Sequence, residues 1–412
     1  MIEYVHCISN HHMISCSYIK NKCPQYTDRK ESMKVSVLGY GTVGKGVYDM
    51  VRSAPGMECG PVLVLPHECT EPFMVTDIND IVSDDSVDVV VEAMGGVEPA
   101  ASYAEKAILS GKHFVTSNKA MVAEKGMELA GLAREKGKAF LFSAACGGGV
   151  PFLHNLSVAV RSDSILSLSG ILNGTTNYIL DAMQSEGMSF DEALSQAKAL
   201  GYAEADPSAD LSGMDSFRKI LLACAVAYGK QPSSANDVEG IYELTAKDAE
   251  VINGRGGAVR LIASGGLNED GSVYAFVEPV IFFEGMEKSV RKNFNCASYT
   301  GANSGLITLF GQGAGRYPTA SAVLRDLTGV MDGDLEMMPP GCVRTEERDL
   351  PQRRYLVRCD RDMAGRFDAA EEWHRESDTV WVVTDLIPAW EMHDRARSIR
   401  KEGRSVFFAS LE

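Results

Sequence analysis

Residues Val35 to Val51, VSVLGYGTVGKGVYDMV, join a buried-strand run, a Gly-x-Gly-x-x-Gly turn and an amphipathic helix in that order. That succession commits the start of the chain to a parallel α/β sheet. Gly39 permits the tight turn, Gly41 lets the backbone approach a pyrophosphate, and Gly44 allows close helix–strand packing. Tyr40, Thr42 and Val43 complete the loop, whose free amides at the helix start suit phosphate groups. The same glycines would serve a merely structural turn. The strand–turn–helix context favours dinucleotide binding.

The segments that follow keep the alternation. PVLVLP (Pro61 to Pro66) reads as the second strand, followed by His67 and Glu68. No Arg stands at its end to meet a 2′-phosphate, which tilts the reading towards NAD over NADP; His67 leaves a phosphate partner open. VDVVVEAMGG (Val87 to Gly96) is a near-continuous apolar run ending in two glycines, as in a parallel strand that feeds a ligand loop. A helix over Ala100 to Ser110 precedes the strand HFVT, which ends in Ser117-Asn118-Lys119 at the sheet edge where open α/β folds bind ligands. A cation at a helix start opposes the helix dipole, so Lys119 needs another reason to be there. KAFLFSAACGGGVPFLHNL (Lys138 to Leu156) gives one more strand and a glycine-rich exit near Pro151.

Composition narrows the partners. The formal charge of −16 argues against nucleic acid or an anionic membrane, and no apolar run is long enough to span a bilayer. Ten cysteines without regular spacing point to reduced thiols and a cytoplasmic setting, not a disulfide framework. Residues 1–32 show no period and read as a disordered or foreign extension without catalytic work. His11, His12, Cys16 and Cys23 match no common zinc spacing.

From Pro151 the pattern becomes α+β, with strand-like pieces around helices at Tyr178–Ser185 and Asp191–Leu200. LGYAEADPSADLSGMDSFRK then crowds Glu204, Asp206, Asp210, Asp215 and Lys219 into one loop-to-helix segment. Asp215 and Lys219 lie four apart on one face of the helix Met214 to Tyr228. A surface ion pair is the plain reading of that spacing. The apolar character of the helix and the convergence of the other acids favour a site for a small zwitterion, with a lysine moving a proton.

GYGTVGKGV, VVEAMGG, FVTSNKAMVA, CGGGVPF, GILNGTTNYIL, LGYAEADPSADLSGMDSFRK and GQGAGRYPTASAV together resemble the homoserine dehydrogenase family, from Met33 to about Val330. The resemblance implies reversible NAD- or NADP-dependent oxidation of L-homoserine to L-aspartate 4-semialdehyde, in the synthesis of threonine, methionine and isoleucine. It assigns proton transfer to Lys219, with Lys119 beside nicotinamide and substrate and Asp215 as their partner. Glu204 would hold the substrate ammonium, aided by Tyr202 and Asp210, and backbone near Gly174 and Thr175 would meet the carboxylate. Gly313 and Gly315 would lie where the chain returns to the cofactor. A lysine serves as base if burial or a neighbouring cation lowers its pKa towards neutrality. The family's sodium site would use carbonyls of Cys146, Gly148 and Val150, but Ser143 stands where the family carries Glu, which counts against it.

The resulting organisation is a Rossmann dinucleotide-binding domain (33–150, with a return at 311–330), an α+β substrate and dimerisation domain (151–310), a linker (331–352) and a small ACT-like βα domain (353–412). The last is read as β-α-β-α-β with one strand missing, its first turn carrying Asp362, Gly365 and Phe367. A threonine-sensing role and a structural appendage are both open for it, and core packing is the plain reading of Trp373, Trp381 and Trp390. A homodimer is expected. The competing functions are a catalytically silent regulator binding nucleotide and amino acid, and a dehydrogenase of another amino-acid semialdehyde.

Overall fold

The computed structural model describes residues 32–232, 236–346 and 349–412. The extension, apart from Ser32, and its His and Cys residues lie outside them. Two sheets organise the chain. In the first, strands β1 (Met33–Leu38), β2 (Met57–Leu63), β3 (Met74–Val75), β4 (Val89–Glu92), β5 (His113–Thr116) and β6 (Phe140–Leu141) are all parallel, in the order β3-β2-β1-β4-β5-β6. Helices α1 (Thr42–Ser53), α2 (Ala100–Leu109) and α3 (Lys119–Glu135) supply crossovers. Val89, Val90 and Val91 are fully buried, which is why β4 reads as an unbroken apolar run. The strand order reverses between β1 and β4, and a ligand groove opens at that switch point.

The second sheet is mixed and nine-stranded, in the order β11-β10-β7-β8-β9-β15-β12-β14-β13. Its first half comprises β7 (Ile165–Ile171), β8 (Ala258–Leu267), β9 (Val273–Phe282), β10 (Phe294–Gly301) and β11 (Gly305–Gln312). Before it comes α4 (Phe152–Ala159). Between β7 and β8 lie α5 (Gly174–Glu186), α6 (Phe190–Ala199), α7 (Met214–Tyr228) and α8 (Ala246–Gly254). Asn173 caps α5 by accepting the Thr176 N–H at 2.9 Å, so the helix starts four residues earlier than the sequence pattern suggests. Helix α9 (Arg316–Asp332) returns to the parallel sheet and packs on α1, where a Cβ on Gly46 would meet Arg316 and Ala320.

The C-terminal half of the sheet differs from the expected β-α-β-α-β order. Four strands are present: β12 (Tyr355–Asp360), β13 (Ala369–Glu376), β14 (Thr379–Thr384) and β15 (Phe407–Leu411), with one helix, α10 (Ala389–Lys401). The first connection is a short 3-10 turn, Arg361–Phe367, closed by Asp368 at φ 50. That left-handed residue breaks the run DMAGRFDAAEEW that reads as helical, and its second part pairs as strand, Glu372 opposite Val382. Strand β15 also pairs with β9, Val280 opposite Ser410, so this unit continues the mixed sheet. The expected linker is packed as well. Phe140 donates its N–H to the Leu335 carbonyl, Met337 and Met338 are buried, and Val343–Thr345 pairs with Lys230–Pro232. No helix among the described residues is long and apolar enough to cross a membrane, and all their cysteines are unpaired.

Asp326, on α9, is fully enclosed and accepts the Ser143 N–H at 2.8 Å where β6 leads into the glycine loop. Burial pushes its carboxyl up to about 7. A carboxylate raised in the folded state is stabilising when protonated, and that stability is lost as pH climbs from the unfolded pKa through the folded one. Asp326→Asn therefore gains stability over the parent as pH rises from 5 to 8, by on the order of 2 kcal/mol. Denaturant melts at both pH values check this; a gap that does not widen would contradict the assignment.

Candidate active site

The dinucleotide groove forms where β1 turns into α1. Gly39 sits at φ +92, and a Cβ on Gly44 would fall 1.9 Å from the Gly39 carbonyl oxygen, so the turn admits neither side chain. A cavity of about 380 Å³ lies over Gly39, Tyr40 and Gly41, walled by Leu63 to Pro66, Glu68, Ala93 to Gly95, Pro99 and Tyr103. Thr42 and Val43 open the first turn of α1 beside it. The Leu65 N–H donates to Glu68 Oε2 at 3.3 Å, fixing a carboxylate at the tip of β2. The residues present fit a dinucleotide.

The other wall depends on a residue whose part the sequence did not disclose. Glu92, fully buried at the end of β4, accepts the Met94 N–H at 2.7 Å and the Gly95 N–H at 3.1 Å. Its second oxygen accepts the Thr116 hydroxyl at 2.6 Å. Asn118 donates to the Gly96 carbonyl at 2.5 Å and caps α3 through the Met121 N–H. One buried carboxylate thus locks the glycine turn to the strand end that carries Lys119. The only sequence signal was a charged residue closing an otherwise apolar strand.

Lys119 crosses from the parallel sheet to the substrate region. Its Nζ lies 2.9 Å from Asp215 Oδ1, and Lys219 Nζ lies 2.7 Å from Asp215 Oδ2. This is the reason for a cation at the start of α3. The Asp215 side chain is 6% exposed and that of Lys219 12%, against 39% for Lys119. Lys219 also donates to the Leu172 carbonyl at 2.6 Å, and Asn173 Nδ2 donates to both Asp215 Oδ2 and Asp210 Oδ1, at 2.8 and 2.7 Å. Asn173 was not singled out from the sequence, yet it caps α5 and holds two acids together.

Electrostatics here sets burial and a second lysine against the nearby Asp215 carboxylate. Burial opposes the Lys219 charge, but Asp215 more than offsets it, so the lysine pKa is raised and not lowered towards neutrality. Burial likewise opposes the Asp215 charge, and Lys219 and Lys119 together hold that carboxyl well below its usual range. Asp210 is pushed up by burial and by Asp215. Cys146, buried near this cluster, is pushed up by burial to about 12 and stays a thiol.

The remaining candidates divide. Thr175 donates its hydroxyl to the Tyr202 carbonyl at 2.5 Å, bringing the first turn of α5 against Tyr202, whose ring also meets Tyr178. Glu204 and Asp206 are exposed, and Asp206 turns back to accept the Ser208 N–H, so it closes its own loop and does not join the cluster. Gly313 and Gly315 lie on the crossover from β11 to α9, where a Cβ on Gly148 would strike the Gly313 carbonyl at 2.4 Å. The loop at Cys146, Gly148 and Val150 therefore packs directly on that crossover.

Comparison with known proteins agrees with this arrangement. Residues 39–143 match the model of the homoserine dehydrogenase NAD-binding domain, and residues 151–328 match that of homoserine dehydrogenase. A homoserine dehydrogenase of Synechocystis sp. is 38% identical over 318 residues, covering 73% of each chain. That of Bacillus subtilis is 34% identical over 323 residues, again covering 73% of each. The structure of a Thiobacillus denitrificans homoserine dehydrogenase aligns with a TM-score of 0.81 at 28% identity, over 93% of this chain and 98% of that one. A hyperthermophilic archaeal homoserine dehydrogenase mutant solved with NADPH aligns at 0.63 and 25% identity, over 73% and 98%. Neither a silent regulator nor another semialdehyde dehydrogenase is favoured by these matches: the chain is an oxidoreductase with a nicotinamide-cofactor domain and belongs to the homoserine dehydrogenase family.

Proposed function

We propose that Lys219 moves the proton in the reversible oxidation of L-homoserine to L-aspartate 4-semialdehyde, and that NAD is the preferred cofactor. The observation that carries this is the single buried carboxylate of Asp215 shared by Lys219 and Lys119. Bound nicotinamide would supply the hydride acceptor or donor. In reduction, the Lys219 ammonium gives its proton to the aldehyde oxygen as the alcohol forms. In oxidation, the neutral amine takes the hydroxyl proton. Lys119 adds a second positive charge where the alkoxide develops, and Asp215 orients both cations.

The first turn of α5, at Gly174 and Thr175, suits the substrate carboxylate, because a helix start attracts negative charge. Glu204, Asp210 and Tyr202 would face the ammonium. Glu68, anchored at the tip of β2, suits ribose hydroxyls and repels a 2′-phosphate, which supports NAD. The loop at Cys146, Gly148 and Val150 offers a sodium ion backbone carbonyls but no carboxylate. Ser143 has none, and Asp326 is pushed up to about 7. That donor set fits a cation poorly, and the proton path uses none.

We also propose a homodimer joined through the edge strand β11, where Leu306 and Phe310 are exposed. Threonine control through residues 353–412 is part of the same reading. It draws support from the continuity of the sheet across Val280 and Ser410.

Absorbance of reduced nicotinamide, followed with L-homoserine and either cofactor, tests the function. NAD gives the higher kcat/KM, and serine and threonine give no signal. A flat trace with both cofactors would overturn the reading. Lys219→Ala lowers kcat about 100-fold or more while leaving cofactor affinity nearly unchanged; near-full turnover in the variant would remove the lysine from the proton path.

The raised Lys219 pKa fixes the direction of the pH dependence. Reduction needs the ammonium, so its kcat/KM holds level through neutral pH and falls only as pH passes the raised value. Oxidation needs the free amine, so its kcat/KM climbs into the alkaline range. Profiles of both directions that rise and fall together would exclude Lys219 as the shared group.

A further inference from the structure

Asn295, on β10, is 1% exposed, and neither its Oδ1 nor its Nδ2 has a hydrogen-bond partner among the described residues. A carboxamide buried with both ends unpaired is costly, and an apolar side chain of the same volume would avoid that cost. Packing alone does not explain an asparagine here.

The surroundings do suggest a reason. Strand β10 runs antiparallel to β7 with Cys296 opposite Ile171, and to β11 with Asn295 opposite Gly311. Asn295 therefore stands next to the end of β7, whose Leu172 carbonyl takes Lys219 Nζ. On its other side runs the glycine crossover to α9. A Cβ on Gly313 would lie 2.1 Å from the Asn295 side chain, and one on Gly174 would lie 3.4 Å from Asn295 Oδ1. The unpaired carboxamide is thus wedged between the crossover and the first turn of α5. Gly313 itself carries no side chain to tie it, although the Gly149 N–H reaches the neighbouring Gln312 carbonyl at 3.0 Å, and the crossover joins the regions read above as holding cofactor and substrate.

We infer that Asn295 is a positioning residue of the ligand-bound state. When the two regions close on their ligands, backbone N–H and C=O groups of the Gly313 crossover move into hydrogen bonding with its carboxamide. This fixes the crossover against the strand end that orients Lys219. The unpaired amide of the free protein is the cost of that preorganisation, a burden retained at a functional position. The inference rests on the functional reading above, since it takes Lys219 and the start of α5 as the reacting site.

Asn295→Leu in the full chain tests it, with Asn295→Ala as a second variant should the first not fold. Melting is followed with and without NADH plus homoserine, a pair that cannot turn over, and steady-state rates are taken with NAD. The free Asn295→Leu protein is expected to melt no lower than the parent. Its ligand-induced rise in melting temperature falls by half or more, and kcat falls about ten-fold or more. Turnover and ligand-induced rise both within two-fold of the parent would overturn the inference. So would a variant that is merely less stable but equally active per folded molecule. A parent that reduces neither NAD nor NADP with homoserine would count against the functional reading itself, and the melting rise with NADH alone would still decide the role of Asn295.

Discussion

Everything at the centre of this molecule is arranged around the carboxylate of Asp215. Two lysines, from helices α3 and α7, end on its two oxygens, and the Asn173 amide occupies one of them as well. An acid this deeply enclosed persists as a charge only because its partners outweigh the desolvation it suffers. Removing one partner would leave a buried charge short of compensation, so the three side chains hold one another in place. The pair is also a physical tie between the cofactor and substrate regions, since Lys119 belongs to one and Asp215 to the other.

The supports of that tie are built from backbone groups, two asparagines and the buried Glu92. Glu92 fixes the glycine turn and the Asn118 cap, and the cap sets the first turn of α3 that carries Lys119. On the opposite side, the Leu172 carbonyl at the end of β7 receives Lys219, and Asn173 begins α5. Lys119 thus leaves a helix directly beside its Asn118 cap, and Lys219, one turn into α7, is held by the Leu172 carbonyl and by Asp215. Such placement limits how far either ammonium can wander, which is what the proposed proton transfer would require.

Much of this was legible in the sequence because it is local. The glycine turn, the apolar strand runs and the i,i+4 placement of Asp215 and Lys219 each leave a period or a spacing in a short window. What was not legible depends on distant pairings. Asn173 lies 42 residues from the Asp215 it holds, and Glu92 lies 24 residues from Thr116. The strand Ala369–Glu376 was hidden for another reason. It is an exposed edge without alternation, and its preceding residues carry helix-forming composition until Asp368 turns left-handed. The balance at Lys219 was left open because composition reveals burial but not the distance to a counter-charge, and at 2.7 Å Asp215 outweighs the burial.

That distance decides which half of the chemistry the resting protein is prepared for. With Asp215 at 2.7 Å, Lys219 is held as the ammonium, so under the proposed mechanism an aldehyde entering the site would meet a proton already in place. An alcohol must wait for that proton to leave, against the attraction of the same carboxylate. Lys119 partly relieves the attraction by drawing on the other oxygen of Asp215. Because Lys119 is the more exposed of the two cations, water exclusion on ligand binding would alter its share most. Under the proposed mechanism, closure of the two regions and the readiness of Lys219 to give or take a proton would be coupled through this one carboxylate.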